Sequence, residues 1–461
     1  MNKSAVKDLT VGSPMKLILG FMLPLLFGML FQQLYNMVDT IIVGQYLGVD
    51  ALAGVGSTGS VNFLVLGFCI GLCNGFSIPV AQQFGSKDFD ALRKYIANTL
   101  WLSIGFAVVI TTAVCLLCTP ILQAMNTPED VFTQAHDYIF VIFLGIPVTI
   151  LYNTVSAIMR SLGDSKTPVY FLILASLMNI GLDLFMIIVL KMGVAGAAWA
   201  TVVSQLISGV LCLIYMIRHF KIIHLSRSEL KPDYYYIGRL CANGLPMGLQ
   251  YSITAIGSIL LQTAVNGLGS MYVAAVTAGS KVSQLMCCPY DAMGSTMATY
   301  GGQNVGAGRL DRVKKGLFCC SSLGIGYALI AFAAVFFFGE NITMLFIKEG
   351  QENVPQILEL SRQFLLINVG FYIPLAFVNI VRFLIQGMGF SQLAVFAGVF
   401  EMAARGITAL CFVPWLGYNA VCFASPSAWV LADLFLIPAF IHCYKTLKWR
   451  VNPHTEINFR Q

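Results

Sequence analysis

Residues 24–48 read PLLFGMLFQQLYNMVDTIIVGQYLG, an apolar run that contains one carboxylate, Asp39. The run is long enough for a helix to cross a hydrocarbon core, which needs about 20 residues. An ionised carboxylate near the centre of a bilayer costs roughly 3 kcal/mol on insertion scales, so such residues usually face a polar cavity and serve a function. The stretch therefore predicts a transmembrane helix with a functional carboxylate.

The composition of the whole chain matches that of this stretch. Of the 461 residues 57% are hydrophobic and only 10% are charged, whereas soluble domains carry about 25% charged residues. Similar apolar segments recur along the chain and predict an all-α polytopic membrane protein with twelve transmembrane helices. The expected crossings are 15–44, 51–82, 93–123, 135–159, 168–190, 194–218, 237–267, 272–300, 313–338, 357–385, 390–414 and 418–445. Little chain is left for a separate soluble catalytic domain.

An internal repeat divides these crossings into two sets of six. An offset of about 221 residues aligns Gly48 with Gly269, Gln82 with Gln303, Gly85 with Gly306, and, with small gaps, Pro24 with Pro246 and Gly163 with Gly389. The repeat predicts two pseudo-symmetric six-helix bundles, related by an axis along the membrane normal, that enclose a cleft. The expected domains are an N-terminal lobe (1–218), a cytoplasmic linker (219–236), a C-terminal lobe (237–447) and a cytoplasmic tail (448–461).

Lysine and arginine lie mostly in loops on one side of the predicted membrane. That side includes Lys87, the 218–239 region, Arg309, Arg382 and Lys445, so the positive-inside rule places both termini in the cytoplasm. This bias accounts for the net charge of +6, so the charge does not indicate a nucleic-acid partner. We expect a monomer in the inner (plasma) membrane, whose partners are the bilayer and small organic molecules.

Polar residues inside the first six crossings fall on shared helix faces. Gln32, Tyr35, Asn36 and Asp39 share a face of the first helix. Asn179 and Asp183 are one turn apart on the fifth. Polar residues at helical spacing also occur on the fourth and sixth helices: Asn153, Ser156, Arg160, Thr201, Ser204, Gln205 and Ser208.

Two intramembrane carboxylates among amides and hydroxyls predict a cation or proton site. The alternative is that these groups only hold helices together, each contact contributing about 0.6 kcal/mol. For Asp39 and Asp183 we favour function, because a neutral amide would hold helices at lower cost. The substrate cleft is expected to be lined by Gln32, Tyr35, Asn36, Ser156 and Gln205.

No prosthetic cofactor is expected, and the coupling ion is H+ or Na+. The five histidines lie at span edges, in linkers or in the tail, so a proton carrier would have to be a carboxyl group. Carboxylate, amide and hydroxyl oxygens also suit Na+. No other metal is expected, since the thirteen cysteines lack the repeated CxxC pattern of a zinc site and read as small core residues.

Three motifs resemble the multidrug and toxic compound extrusion (MATE) family: residues 32–44 (QQLYNMVDTIIVG), 159–164 (MRSLGD) and 193–198 (GVAGAA). The likeness runs from about residue 14 to 447 and is closest to the bacterial branch with a cation site in the N-terminal lobe. It implies drug export driven by proton or sodium entry. The resemblance places the cation site at Asp39, Asn153, Asn179, Asp183 and Thr201. It also matches Pro24 to a proline where the first helix bends on protonation, and the repeat makes Pro246 its counterpart.

The second half departs from some relatives. Members with a sodium site in that lobe carry acids where this chain has Ala255 and Phe377, so such a site is not expected here. The half has its own intramembrane charges: Lys281, Asp291, Glu401, Arg405 and Asp433. Glu401 and Arg405 are spaced for mutual pairing.

The leading functional hypothesis is a secondary active multidrug efflux antiporter that exports organic, often cationic, compounds. A lipid-linked oligosaccharide flippase of the same superfamily is the first alternative and would be favoured by a cavity ringed with Arg and Lys. A membrane-embedded enzyme is the remote alternative, because the spans contain no paired His and no Ser-His-Asp arrangement.

Overall fold

The computed structural model describes residues 7–125, 127–344 and 354–451, and these residues form helices and short connections without a strand. The helices are α1 (Pro14–Leu47), α2 (Val49–Ser57), α3 (Gly59–Ser86), α4 (Phe89–Leu116), α5 (Cys118–Ala124), α6 (Glu129–Leu144), α7 (Ile146–Ser161), α8 (Lys166–Leu184), α9 (Gly193–His219), α10 (Tyr234–Asn266), α11 (Ser270–Gly306), α12 (Leu310–Met344), α13 (Val354–Gly370), α14 (Tyr372–Gly387), α15 (Ser391–Ile407), α16 (Val413–Leu416) and α17 (Tyr418–Val451).

The predicted all-α membrane fold is confirmed. In the described part of the chain, nine helices are long and apolar enough to cross a membrane, and the number rises to eleven if two bent pairs each count as one span. The predicted eighth crossing corresponds to α11, which is 37 residues long. Lys281 and Asp291 make α11 more polar than the other long helices, so it is not among the eleven.

The two bent pairs occupy equivalent places in the repeat. The axes of α6 and α7 meet at 46°, and those of α13 and α14 meet at 51°. A glycine followed shortly by a proline marks each break, Gly145 before Pro147 and Gly370 before Pro374. Proline removes a backbone donor and clashes with the preceding turn, which accounts for a kink at each junction.

Positive backbone φ angles occur at corresponding positions of the two repeats, at offsets close to that of the sequence repeat. Four pairs of repeat-related positions lie in this region: Gly48 (90°) with Gly269 (113°), Lys87 (63°) with Gly308 (70°), Gly163 (89°) with Gly389 (90°), and Gly193 (64°) with Gly417 (57°). These angles suit glycine, which lacks the Cβ that makes them costly for other residues. The shared turns show that the sequence repeat is also a structural repeat.

A π-helical segment occurs near the end of one span in each half. Phe185–Val189 continues α8, and Thr408–Phe412 continues α15. Isolated π-helical turns inside α-helices are rare and are frequent at functional sites. In both halves an ionisable residue precedes the segment by two or three residues, Asp183 in the first and Arg405 in the second.

The chain forms two compact units. The first comprises Leu23–Ser252 with the residues through Leu9, and the second comprises Thr10–Met22 with the residues from Ile253 onward. The first unit thus ends inside α10, beyond the 219–236 linker, and the α1 segment before Leu23 belongs to the second unit. The predicted lobe boundaries stay a prediction.

Close glycine packing holds the first part of α10 in the first unit. A Cβ added at Gly75 would lie 2.5 Å from the Gly244 Cα, and one added at Gly71 would lie 2.5 Å from the Met247 carbonyl oxygen. Gly244 and Gly248 on α10 face Phe76 and Phe68 equally closely. Small residues every fourth position let membrane helices approach backbone to backbone.

Arg382 is a correction to the charge assignment, which placed it in a cytoplasmic loop. It lies inside α14 with only 6% of its surface exposed and forms a hydrogen-bonded ion pair with Glu401 of α15. Arg405 Nη2 lies 3.6 Å from Glu401 Oε2, so the predicted pairing of Glu401 with Arg405 is present.

Candidate functional site

Asp39 of α1 and Asp183 of α8 form the centre of the candidate site. Their carboxyl groups lie next to each other and interact. Asp183 is fully buried, and the Oδ1 atom of each aspartate is buried without a hydrogen-bond partner. The two predicted acids therefore meet in one place, although they lie far apart in the sequence.

An amide and a hydroxyl complete one side of this pair. Asn179, one turn before Asp183, is 1% exposed. In the orientation that satisfies both neighbours, its amide nitrogen donates to Asp183 Oδ2 at 3.2 Å, and its oxygen accepts from the hydroxyl and the backbone N–H of Thr201, both at 3.2 Å. The Thr201 hydroxyl also lies 3.2 Å from the Ala197 carbonyl oxygen. Thr201 thus links α9 to the carboxyl pair through Asn179.

Two tyrosines face the same carboxyl groups. Tyr35 of α1 and Tyr138 of α6 are both electrostatically coupled to Asp39 and Asp183. Tyr138 was not identified from the sequence. It lies on α6, and the 46° bend after Leu144 breaks the helical register that would relate it to the polar residues of α7. A phenol can donate to a carboxylate or accept from a carboxylic acid, so these side chains suit either protonation state.

The close approach of α1 and α8 positions the pair. A Cβ added at Gly28 would lie 2.9 Å from a Val169 methyl group. The two helices are therefore already in contact on the N-terminal side of Asp39 and Asp183. Apolar side chains pack next to the carboxyl pair, and the small side chains of α9 allow this helix to come close. The cluster comprises Ile42, Val43, Tyr138, Ile187, Val194, Ala197 and Ala198. The site is thus polar at its centre and apolar around it.

The other predicted site residues have different surroundings. The Asn153 amide donates to the Thr149 carbonyl oxygen in its own helix at 2.8 Å, and the Thr149 hydroxyl donates to Gln205 Oε1 at 3.2 Å. Ser156 is 1% exposed, in the interior of the first unit. Gln32 and Asn36 are exposed on α1. These contacts do not test a role in ion or substrate binding. Such a role stays a prediction for Gln32, Asn36, Asn153, Ser156 and Gln205.

The two prolines assigned to helix bending lie inside continuous helices. Pro24 is within α1, and Pro246 is within α10. Each removes one backbone hydrogen bond from its helix. Bending at these positions during transport also stays a prediction.

Comparison with known proteins agrees with the repeat and with the fold. The MatE family model matches the chain twice, over residues 24–185 and 246–409. A probable multidrug resistance protein of Bacillus subtilis, YpnP, is 29% identical over 374 residues, which cover 81% of this chain and 82% of YpnP. An FAD transporter of Shewanella oneidensis is 23% identical and covers 79% of this chain and 80% of that protein.

Solved structures give the same result for the fold. An outward-facing multidrug resistance MATE family transporter of the MOP superfamily is 22% identical, with a TM-score of 0.89 over 97% of this chain and 99% of that chain. The relatives are transporters and not enzymes. With two matches that together span most of the sequence, the chain belongs to the MATE family of multidrug efflux transporters.

Proposed function

We propose that this protein is a secondary active antiporter in which protons entering through the Asp39–Asp183 pair drive the export of organic, often cationic, compounds. The observation that carries the proposal is the contact between the two carboxyl groups. An ionised carboxylate only accepts hydrogen bonds, so a hydrogen bond between two carboxyl groups needs a proton on one of them. Two neighbouring carboxyl groups in an apolar surrounding therefore support a site that holds a proton between them.

Loss of that proton would change the packing of α1 against α8. Two ionised carboxylates in contact repel each other, and the repulsion is strong in an apolar surrounding. The proton thus favours the packed arrangement, and its release favours a separated one. A ligand shifts a two-state protein only by its differential affinity for the two states, so substrate must favour the arrangement that the proton disfavours.

The membrane potential adds to the driving force. Each positive charge that moves inward gains about 2.3 kcal/mol per 100 mV. Proton entry in exchange for an organic cation of equal charge would cancel this term, whereas entry of two protons would retain it. We assign the protein to the plasma membrane as a monomer with both termini in the cytoplasm, since that orientation lets external protons enter down their gradient.

Substrate binding is assigned to the polar residues on α1, α7 and α9. Gln32 and Asn36 are exposed and lie on the α1 face that also carries Tyr35 and Asp39. Gln205 is held by Thr149, and Ser156 is the buried member of the set. A cationic compound near Asp39 would compete electrostatically with the proton, which provides the opposed preference that exchange requires.

Sodium is the alternative coupling ion, and dye efflux from proteoliposomes separates the two. Wild-type protein should export a cationic dye under an imposed pH gradient and should show little export under an imposed sodium gradient. Asp39→Asn should reduce the pH-driven rate at least tenfold. Asp137→Asn, which removes an exposed acid from α6, serves as the matched control and should export at the wild-type rate.

Export by Asp39→Asn at the wild-type rate would overturn the proposed mechanism. Export driven only by the sodium gradient would replace the proton with Na+ at the same site. Both variants should be compared at equal amounts of monodisperse protein, so that a loss of activity is not a loss of folding.

A further inference from the structure

A second group of intramembrane charges lies in the second unit. Arg382 of α14 and Arg405 of α15 share one carboxylate, that of Glu401. The side chains of all three are at least nine-tenths buried. Two arginines therefore share a single ion-pair partner.

Asp433 of α17 is the nearby carboxylate without such a partner. It is 9% exposed, faces Arg382 and Glu401, and forms no ion pair among the described residues. Its Oδ1 atom is buried without a hydrogen bond. A buried carboxylate in this condition loses solvation without compensation, unless it carries a proton.

The two arginines, in turn, have hydrogen-bond donors that lack an acceptor. Arg382 Nε and Arg405 Nη1 are buried N–H donors without an acceptor. Leaving a buried donor unsatisfied costs about 1–3 kcal/mol, and more for a charged group. The cluster therefore holds two unused arginine donors and one unused aspartate acceptor at the same time.

A second arrangement of the same side chains would remove these deficits. If Asp433 were ionised, it would attract one of the arginines away from Glu401, and each carboxylate would then pair with one guanidinium. If Asp433 were protonated, both arginines would stay with Glu401, as the structure shows. The cluster thus has two partner arrangements that differ by one proton, with a net charge of +1 when Asp433 is protonated and of zero when it is ionised.

Other charged side chains on the helices packed against α17 either pair with another residue or are exposed. On α12 and α13, Arg362 pairs with Glu340 at 2.9 Å, and Glu359 is exposed. The exposed carboxylate of Asp291 on α11 faces Arg382.

We propose that Asp433 is a second proton-binding site, in the C-terminal half, at which binding and release of the proton switch Arg382 between Glu401 and Asp433, while Arg405 stays with Glu401. Protonation adds one hydrogen to the Asp433 carboxylate, and both arginines remain charged. The π-helical segment Thr408–Phe412 begins three residues after Arg405 and lies beside α17, so the exchange of partners takes place close to an irregular part of the helix. This site goes beyond the proposed Asp39–Asp183 coupling and does not depend on it.

Infrared difference spectroscopy of proteoliposomes during a pH jump tests this site directly. The measurement should be made in the Asp39→Asn/Asp183→Asn background, which removes the carboxyl pair of the first half. We expect a carboxylic acid band that disappears on alkalinisation. Asp433→Asn should abolish the band, and Asp433→Glu should keep it at a shifted frequency.

The variants distinguish the possible outcomes. A band that neither substitution at position 433 changes would overturn the proposal, as would the absence of any band in the background. If Asp433→Asn does not fold, the frequency shift in Asp433→Glu alone still assigns the band. Arg405→Gln, which leaves Arg382 as the one arginine paired with Glu401, should extend the band to higher pH, whereas an unchanged pH range would contradict the exchange. Transport activity does not enter this test, so failure of the Asp39–Asp183 mechanism would leave its result intact.

Discussion

At the level of single residues, the partners of each carboxylate distinguish the acids proposed to bind protons from an acid held in an ion pair. Asp39 and Asp183 contact each other, and Asp433 has no ion-pair partner, whereas Glu229 is surrounded by donors. The Ser226 N–H donates to Glu229 Oε2 at 2.7 Å, and Arg93 Nε donates to Oε1 at 2.6 Å. Hydrogen bonds from Ser226 and Arg93 lower the pKa of Glu229 from its ordinary 4.5 to about 2.

This pKa predicts how the linker responds to pH. Because the folded pKa is depressed, ionised Glu229 stabilises linker docking above about pH 4.5, and that contribution is lost as the pH falls toward about 2. Trp101 reports docking, since its indole N–H donates to the Leu230 carbonyl oxygen at 2.8 Å. We expect the Trp101 fluorescence, defined by subtraction of Trp101→Phe, to shift in Glu229→Gln at pH 7.

Wild-type protein should show the same fluorescence shift only on acidification below about pH 4. Arg227→Gln, which removes an exposed linker charge nearby, should behave as wild type. An identical spectrum for wild type and Glu229→Gln at pH 7 would show that this ion pair does not hold the linker.

The sequence singled out Asp39 and Asp183 because a carboxylate is costly in a membrane, and the family resemblance added Asn153, Asn179 and Thr201 to the same predicted site. It did not reveal Tyr138 or the partner of Arg382. Tyr138 is separated from the other polar residues by a kink, and Arg382 has its partner Glu401 on a different helix. Helical spacing relates residues within one straight helix, so it does not predict contacts across a bend or between helices.

At the level of elements, the contact between α1 and α8 controls the distance between the two carboxyl groups. Gly28→Ala would place a methyl group 2.9 Å from Val169, which has little rotamer freedom to move away. Overpacking of this kind typically costs 1–3 kcal/mol. We predict that Gly28→Ala lowers pH-driven dye efflux several-fold by displacing α1 from α8.

A second substitution and a control make this prediction specific. Val169→Ala should restore efflux in the Gly28→Ala background, because it removes the methyl groups that clash. Gly181→Ala, on α8 where an added Cβ meets open space, should export as wild type. Equal efflux by wild type and Gly28→Ala would show that α1 packing does not set the geometry of the pair.

At the level of the whole molecule, the repeat was readable in the sequence because turns need particular residues. Gly48 and Gly269 match in both sequence and backbone conformation, and the same holds for Gly163 and Gly389. The bends and π-helical segments also repeat, although their sequences differ. The chemistry is less symmetric, since the first half contains an acid pair and the second contains arginines with acids.

The loop charges predict cytoplasmic termini, and this prediction does not depend on Arg382, which lies within α14. Phosphatase fused after Thr127, in the loop before α6, should be active outside the cytoplasm. Phosphatase fused after His224, in the linker, should be inactive, and a fluorescent protein at the same place should fluoresce. The opposite pattern would invert the orientation and the proposed direction of proton entry.

A double-mutant cycle tests most directly whether Asp39 and Asp183 act as one proton site. Dye efflux driven by an imposed pH gradient should be measured in proteoliposomes for wild type, Asp39→Asn, Asp183→Asn and the double variant. If the two groups share one proton, each single substitution should lower the rate at least tenfold, and the double variant should lose little more. Wild-type efflux by either single variant, or losses that multiply in the double variant, would contradict a shared site.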